Sequence, residues 1–537
     1  MKYLLMGAAA IALLTACGKK GDDVVADGQE ISEAVKSGKL PKIKLRAGDA
    51  ATAEQALEAF SLGENTEGLI QYESRELKGE KATFTDVRFN AGEEDSPSVA
   101  IGEITFEGLG MIDEQANFSR VVVSDLTFTP PEDEPKGKGT IDTLELVNPS
   151  PEMAAWMAKL LAGTEPDELK PEDVTFDKLA LSDLDFTMDE PDGESGVFTL
   201  AGIEFIGVTE DMIAGVTLDN LVMDMENPTS DTDVKASIGG INIRGLDIGL
   251  LQNSAGNNPI TGMSGPTELM SGLSGTARSD DPANPGYEIF ELDDLDMNVG
   301  GAIFAMPKLS SNVKRDKKGR TTNVSVAPFK ATLAVAEGEL GEKLGAQLAS
   351  LGYETLEFTG QAEQNYDPEN DMLTIVDGKN YYELNDGFRL DFAGKYEGTK
   401  AIALMMEEAG DEATSADAVM DNLEAIVLHN FSISLDDNGI VDRGFSAYAA
   451  QTGQDPAELR AQVSGMMAMA PMMAGGSGVD PALINEVASA LSSFITEPKT
   501  LTLSLNPSEP LSAASFEGLD DPSALTKEVL GFSANNE

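Results

Sequence analysis

The sequence predicts a mainly β protein, α+β overall: a long, bent antiparallel sheet of repeated bulged strands, followed by a C-terminal α+β region. Three observations predict it. An eight-residue pattern recurs, apolar-x-apolar-x-x-apolar-x-apolar. Its copies start about twenty residues apart, at 82, 99 and 121 and again at 174, 198, 216 and 236, a spacing expected of repeat architectures. Acidic or proline-bearing turns join the copies, as in Glu93-Glu94-Asp95-Ser96-Pro97 and Glu190-Pro191-Asp192-Gly193. Short connections between amphipathic strands imply an antiparallel meander with one apolar face.

Taken in order, Thr52 to Phe60 reads as a short helix, and Leu69 to Leu77 with Lys81 to Phe89 as a hairpin turning at Lys78-Gly79. The first copy of the pattern is Ala82, Phe84, Val87, Phe89. Then come Val99, Ile101, Ile104, Phe106 and Val121, Val123, Leu126, Phe128. Pro151 to Leu161 is helical. Further copies are Val174, Phe176, Leu179, Leu181; Phe198, Leu200, Ile203, Phe205; Val216, Leu218, Leu221, Met223; and Ala236, Ile238, Ile241, Ile243. Phe290, Leu292, Leu295, Met297 and the late Ile426, Leu428, Phe431, Ile433 complete the set. Alternation with period two marks strands. The three-residue step at the centre would flip a flat strand. The central pairs are small or polar, as in Ser124-Asp125, Asp219-Asn220, Gly239-Gly240 and Asp293-Asp294. Gly, Asn and Asp suit a bulge that restores the face.

Asn253 to Pro285, rich in Gly, Asn and Ser, reads as a loop or boundary. Beyond it the texture changes. Lys314 to Arg320 is a basic hairpin turn, Glu339 to Leu351 a helix, and Leu356 to Lys395 a meander. Helices are expected at Lys400 to Glu408, Ser415 to Glu424, Asp455 to Met469 and Pro481 to Phe494. A strand at Thr500 to Leu505 and a helix at Pro522 to Leu530 close the chain. The expected organisation is thus residues 1–16, 17–45, 46–300 (repetitive β region) and 301–537 (α+β region).

The two N-terminal segments follow from the first seventeen residues. Lys2 gives a positive start, and Leu4 to Leu14 is an apolar run too short to span a bilayer. Leu14-Thr15-Ala16-Cys17 resembles the lipobox of bacterial lipoproteins. That resemblance implies that 1–16 is a signal peptide and that Cys17 carries the acyl chains, with the following residues to 45 as a flexible tether. It also implies a periplasm-facing place in the bacterial cell envelope. Gly18, by the enterobacterial pattern, favours the outer membrane over the inner. Cys17 is the chain's one cysteine, so no disulfide forms within the chain.

Charge and chemistry narrow the function. With 93 Asp and Glu against 37 Lys and Arg, the net charge is −56. Such a chain repels nucleic acid. His429 is the one histidine, and without a second His or a further Cys the common triads and zinc sites lack partners. No phosphate loop, dinucleotide fingerprint or nucleophile elbow is present. The expectation is a non-enzyme without a cofactor. Asp367, Glu369 and Asp371 alternate like calcium ligands, but a hairpin turn is the expected reading because the rest of a calcium loop does not follow. Met466, Met467, Met469, Met472 and Met473 form a cluster. It suits a flexible apolar helix filling a core or touching lipid, with cuprous copper as the other chemistry thioethers offer.

The pattern from Ala82 to Val299 resembles that of the AsmA-like periplasmic proteins, which carry lipids in long β-grooves. The resemblance implies a protein that binds or conveys lipid or another apolar envelope component. Phe106, Phe128, Phe186, Phe205 and Leu221 are the candidate groove residues. The alternative is a structural or interaction module with a fully packed core and an acidic partner-binding surface.

Overall fold

The computed structural model describes residues 40–63, 70–89, 98–129, 136–161, 169–170, 173–189, 195–226, 233–248, 279–408, 425–473, 480–512 and 526–537. The expected signal peptide, Cys17 and most of the expected tether lie outside these residues, as do the expected helix 415–424 and most of the stretch 253–285. The protein is mainly β and antiparallel. It divides into two compact units, one of Met1–Ser264 with Gly286–Gly300, the other of Gly265–Pro285 with Gly301–Glu537.

The first unit holds α1 (Ala53–Ala59), β1 (Ile70–Gln71), β2 (Ser74–Lys78), β3 (Lys81–Phe89), β4 (Ser98–Glu107) and the small hairpin β5 (Gly110–Ile112) and β6 (Gln115–Asn117). It continues with β7 (Arg120–Thr129), β8 (Lys136–Val147), α2 (Pro151–Leu161), β9 (Phe176–Asp189), β10 (Ser195–Val208), β11 (Met212–Glu226), β12 (Val234–Asp247) and β13 (Ile289–Val299). From β3 to β13 the strands pair with their sequence neighbours, β5 and β6 standing aside.

The centre of each repeat falls on one line across this sheet. Leu200 faces Leu221 and Gly202 faces Asp219, while Ala201 and Asn220 drop out of the ladder together. The same paired omission occurs at Gly102 and Asp125, and at Gly239 and Asp294. Register is kept on both sides, so the irregularity is shared by both strands and neither gains a residue. Left-handed residues occupy this line on alternate strands: Asp86, Asp125, Asp183, Asn220 and Asp294, with φ between 46° and 55°. Asp and Asn tolerate that conformation better than other residues with a Cβ. Their neighbours are Gly102 on β4, Ala201 on β10 and Gly239 on β12, while β8 places Asp142 there. A Cβ on Gly102 would lie 2.9 Å from the Asp125 Cβ, and one on Gly239 equally close to the Asp294 Cβ.

The frame expected for β9 is corrected by its pairing. Phe176–Asp189 was framed on Val174, Phe176, Leu179 and Leu181, which puts the step at Asp177-Lys178. The left-handed residue is Asp183, so the inward set is Leu179, Leu181, Leu184 and Phe186. Two overlapping frames fit the residues, and only pairing chooses. Lys136–Val147 is a full repeat hidden from the pattern because Gly139 fills its first apolar position.

α1 buries Ala53, Ala56 and Leu57, and Phe60 just beyond it continues the same stripe. This i, i+3, i+4, i+7 stripe lies over one end of the sheet, where Phe60 stacks on Phe106 with ring centroids 5.7 Å apart. The polar face carries a chain of alternating charges: Lys81 to Glu107 (2.9 Å), Glu107 to Arg120 (3.4 Å), Arg120 to Glu145 (2.5 Å), Glu145 to Lys178 (3.0 Å) and Lys178 to Glu204 (2.9 Å).

The second unit contains β14 (Ala302–Arg315), β15 (Thr321–Val335), α3 (Glu339–Ser350), β16 (Leu356–Asp367), β17 (Met372–Ile375), β18 (Tyr381–Leu384), β19 (Phe388–Glu397) and α4 (Thr399–Glu408). Then come β20 (Val427–Asp437), α5 (Ile440–Thr452), α6 (Pro456–Met473), α7 (Pro481–Thr496), β21 (Thr500–Leu505), β22 (Leu511–Ser512), α8 (Lys527–Leu530) and β23 (Phe532–Asn536). β17 and β18 lie end to end between β16 and β19. α7 starts on Asp480, whose carboxylate accepts from Ala482 N at 2.8 Å, with Pro481 at the first turn. Residues 279–285, expected as part of a loop, pack into this unit because Asp281 accepts from Arg315 Nη1 at 2.8 Å and from the Thr321 backbone N–H at 3.1 Å.

Candidate functional site

The inward positions of β3 to β13 form continuous apolar rows. One runs Leu126, Ile141, Leu184, Leu200, Leu221, Ile238, another Val123, Leu144, Leu181, Ile203, Leu218, Ile241. Burial falls along the strands away from α1, and across the sheet it is lowest in the middle strands, since β13 again buries Phe290, Leu292 and Leu295. At the end under α1, Ala82, Phe84, Val87 and Phe106 are buried. In the middle strands these rows are mostly only half-buried. At the opposite strand ends Met225 is 41% and Met297 38% exposed.

The five expected groove residues separate along this gradient. Phe106 belongs to a closed aromatic core with Phe60, Phe84 and Phe118. Phe205 is also buried, in the same core cluster as Val208, Ile213 and Ile248. Phe128, Phe186 and Leu221 lie in the half-buried stretch. Phe128 and Phe186 flank Gly139, where an added Cβ would sit 3.3 Å from the Phe186 ring and 3.7 Å from the Phe128 Cβ. Phe198 and Met223 continue that row. They occupy the same repeat positions as the named phenylalanines, so the periodicity already marked them.

Among the described residues the helix and hairpin cover comes from α1, the β5–β6 pair and α2, all at the buried end. There Met153 and Ala154 of α2 join the core, with Met157, Ala158 and Leu161 packed against it. Among the described residues no helix packs broadly on β10 to β13. No helix of the described residues is long and apolar enough to cross a membrane, which says nothing of strands.

The charged groups on these surfaces are occupied with one another. Lys81, then Arg120, hold the Glu107 carboxyl below its ordinary range. For Glu145 burial pushes upward, and hydrogen bonds from Lys178 and Arg120 outweigh it, so the net direction is down. In the second unit the basic turn meets the acidic one. Arg320 binds Asp316 at 2.7 Å and Glu369 at 2.6 Å, and Lys318 binds Glu369 at 2.9 Å. Asp367 accepts from Asn370 Nδ2, and Asp371 accepts from the Tyr366 hydroxyl at 2.8 Å. The three carboxylates of the 367–371 turn therefore have separate partners. Among the described residues no three His, Cys, Asp or Glu side chains gather as metal ligands. His429 is the extra residue of a bulge in β20, between the pairs Tyr396–Leu428 and Lys395–Asn430, and its Nε2 lies 2.7 Å from Glu397.

The methionine cluster lies on a helix, α6, where Met467 is half-buried. Met466, Met469 and Met472 are exposed.

A family model described only as an uncharacterized protein matches residues 381–537, which covers β18 to β23. No curated protein matches the chain.

Proposed function

We propose that this chain is a lipid-anchored, periplasm-facing envelope protein that binds or conveys lipid or another apolar envelope component without catalysis. The observation that carries this reading is the half-buried apolar face of β7 to β12, continuous over two full rows and, among the described residues, covered by helix and hairpin only at one end. A face of this extent calls for a cover, because contiguous apolar patches of this kind are rare on soluble monomers. An acyl chain suits it. Each methylene removed from water contributes about 0.8 kcal/mol, so five seated methylenes contribute about 4 kcal/mol. Phe128, Phe186, Phe198, Leu221 and Met223 form the walls of the proposed groove. The anchor rests on the lipobox-like Leu14-Thr15-Ala16-Cys17. Two or more acyl chains there would hold the body at the membrane stably.

The test is the chain lacking residues 1–17, purified without detergent and extracted for lipid. Phospholipid should co-purify, or an apolar dye should brighten on the folded protein, and Phe186→Glu should reduce either signal. A folded, lipid-free preparation that binds no dye ends the lipid reading.

A further inference from the structure

Lysine and arginine supply only 37 of the 537 residues, yet five of the eleven from Lys36 to Arg46, and no Asp or Glu occurs between Glu33 and Asp49. The described part of this run is laid on the first unit as a strap. At its start Leu40 Cδ2 takes the space beside Gly215 of β11, 2.6 Å from where a Cβ would stand, with Arg244 Nη1 3.1 Å from the same point. Further on, the buried Asn148 donates from Nδ2 to the Lys44 carbonyl oxygen at 2.8 Å, and Arg46 donates to the carbonyl oxygens of Asn148 and Pro149 at 2.7 and 3.0 Å. Asp49 N ends the run on the Leu109 carbonyl oxygen at 2.8 Å. An extended chain from Leu40 to Gly48 covers about 26 Å, and the strands from β4 across to β11 span about 24 Å, so the strap crosses them side to side. It meets the outward row Val147, Lys178, Ile206, Gly215, Arg244. Val147 and Ile206 are buried along its path although they point outward.

What the strap leaves outside is positive charge. Lys42 and Lys44 are exposed, and among the described residues no carboxylate pairs with either. The carboxylates of the neighbouring outward row, Glu145 and Glu204, are engaged by Lys178 at 3.0 and 2.9 Å, and Asp177 is held by Asn148 Nδ2. Both ammonium groups are therefore open to an anion from outside. Position selects the anion. Twenty-two residues separate Cys17 from Leu40, a covalent reach of at most about 75 Å. An acylated Cys17 thus keeps the strap beside a lipid surface at high effective concentration. The chain's −56 charge does not prevent contact there, because salt screens charges beyond about 8 Å and only the surroundings of the strap are felt. Over that same distance, basic segments next to a membrane anchor are drawn to anionic headgroups.

We propose that Lys42 and Lys44 form a docking surface for anionic phospholipid headgroups, which turns the strapped outward face of the first unit toward the bilayer. The inference rests on the lipid-anchored reading above. The test takes the full chain, purified from bacterial membranes, into vesicles of phosphatidylcholine alone or of equal parts phosphatidylcholine and phosphatidylglycerol. Lysines are then acetylated and the rate at each is read by mass spectrometry. On phosphatidylglycerol, Lys42 and Lys44 should react about threefold or more slowly than on the neutral vesicles, and high salt should abolish the difference. Lys138, exposed near the opposite end of β8, should react alike on both. Equal rates at Lys42 and Lys44 on the two vesicles, a slowing that Lys138 shares, or one that survives high salt would each overturn the docking surface. The intact mass of the same sample reports the acyl chains on Cys17. An acylated chain without the protection refutes the surface alone, whereas an unmodified Cys17 refutes the anchor and the tethered contact with it.

Discussion

Gly239 and Gly240 are adjacent, chemically identical and sit at the centre of one repeat, yet alanine should act oppositely at the two. A Cβ on Gly239 would lie 2.9 Å from the Asp294 Cβ and 3.3 Å from the Asp293 carbonyl oxygen. Asp294 is held left-handed at φ 52°, so it cannot swing away without breaking the line of paired omissions. A Cβ on Gly240 would meet only the Leu218 carbonyl oxygen, at 3.6 Å. Replacing Gly by Ala without strain stabilises by about 0.4–1 kcal/mol through the unfolded chain, and overpacking costs about 1–3 kcal/mol. Gly239→Ala should therefore destabilise by about 1–2 kcal/mol, and Gly240→Ala should stabilise by about 0.5 kcal/mol. The assay is a urea titration followed by the fluorescence of Trp156, the chain's single tryptophan, which lies on α2 and so reports the first unit. With a slope of about 2 kcal/mol/M, the two midpoints should move in opposite directions by roughly 0.7 M and 0.2 M. Asp294→Gly keeps the left-handed backbone and removes the obstructing Cβ, so it should rescue Gly239→Ala with a coupling of about 1 kcal/mol. Equal shifts at the two glycines, or no rescue, would refute the packing logic of the central line.

Leu221→Asp places a charge on the half-buried apolar row and should cost about 1–3 kcal/mol, while the outward Asp219→Ala should cost little; equal costs in the same urea assay would undo the inside–outside assignment. Glu107 and Glu145 are held below their ordinary value of 4.5, so their contribution is present above that pH and is lost as pH falls through the lowered values. Glu145→Gln should accordingly flatten the acid limb of first-unit stability below about pH 4.5, and an unchanged limb in a pH series of urea midpoints would remove the charge chain from the account. Cys17→Ser should abolish incorporation of labelled palmitate and release the protein from membranes on fractionation; a variant still labelled and still bound would end the lipoprotein reading.

Much of this architecture is written locally. Alternation of apolar side chains is a property of a few consecutive residues, so the strands carrying Val216 to Met223 or Phe290 to Met297 and their inward faces follow from the chain alone. The same holds for the central Asp and Asn, whose short side chains tolerate the left-handed backbone. Helix α1 announces itself by its stripe, and α7 by Asp480-Pro481. What tertiary structure decided is everything that depends on a distant neighbour. Pairing with Leu146 and Phe205 chose Leu179 as the first inward residue of its repeat, because two local frames fit equally. Gly139 acquires meaning only between Phe128 and Phe186. α5 begins on a left-handed Gly439, and its start is fixed by the Asp437 carboxylate, which accepts from Val441 N at 2.9 Å. The carboxylates of 367–371 look like a cation site until Lys318 and Arg320 arrive from about fifty residues away. Periodicity states that Phe106 and Phe186 share a face, but the cover over one and not the other is supplied by Phe60, Phe84 and Phe118. A pattern along the chain fixes direction, whereas burial is set by what packs on top, and that is a matter of non-local contact.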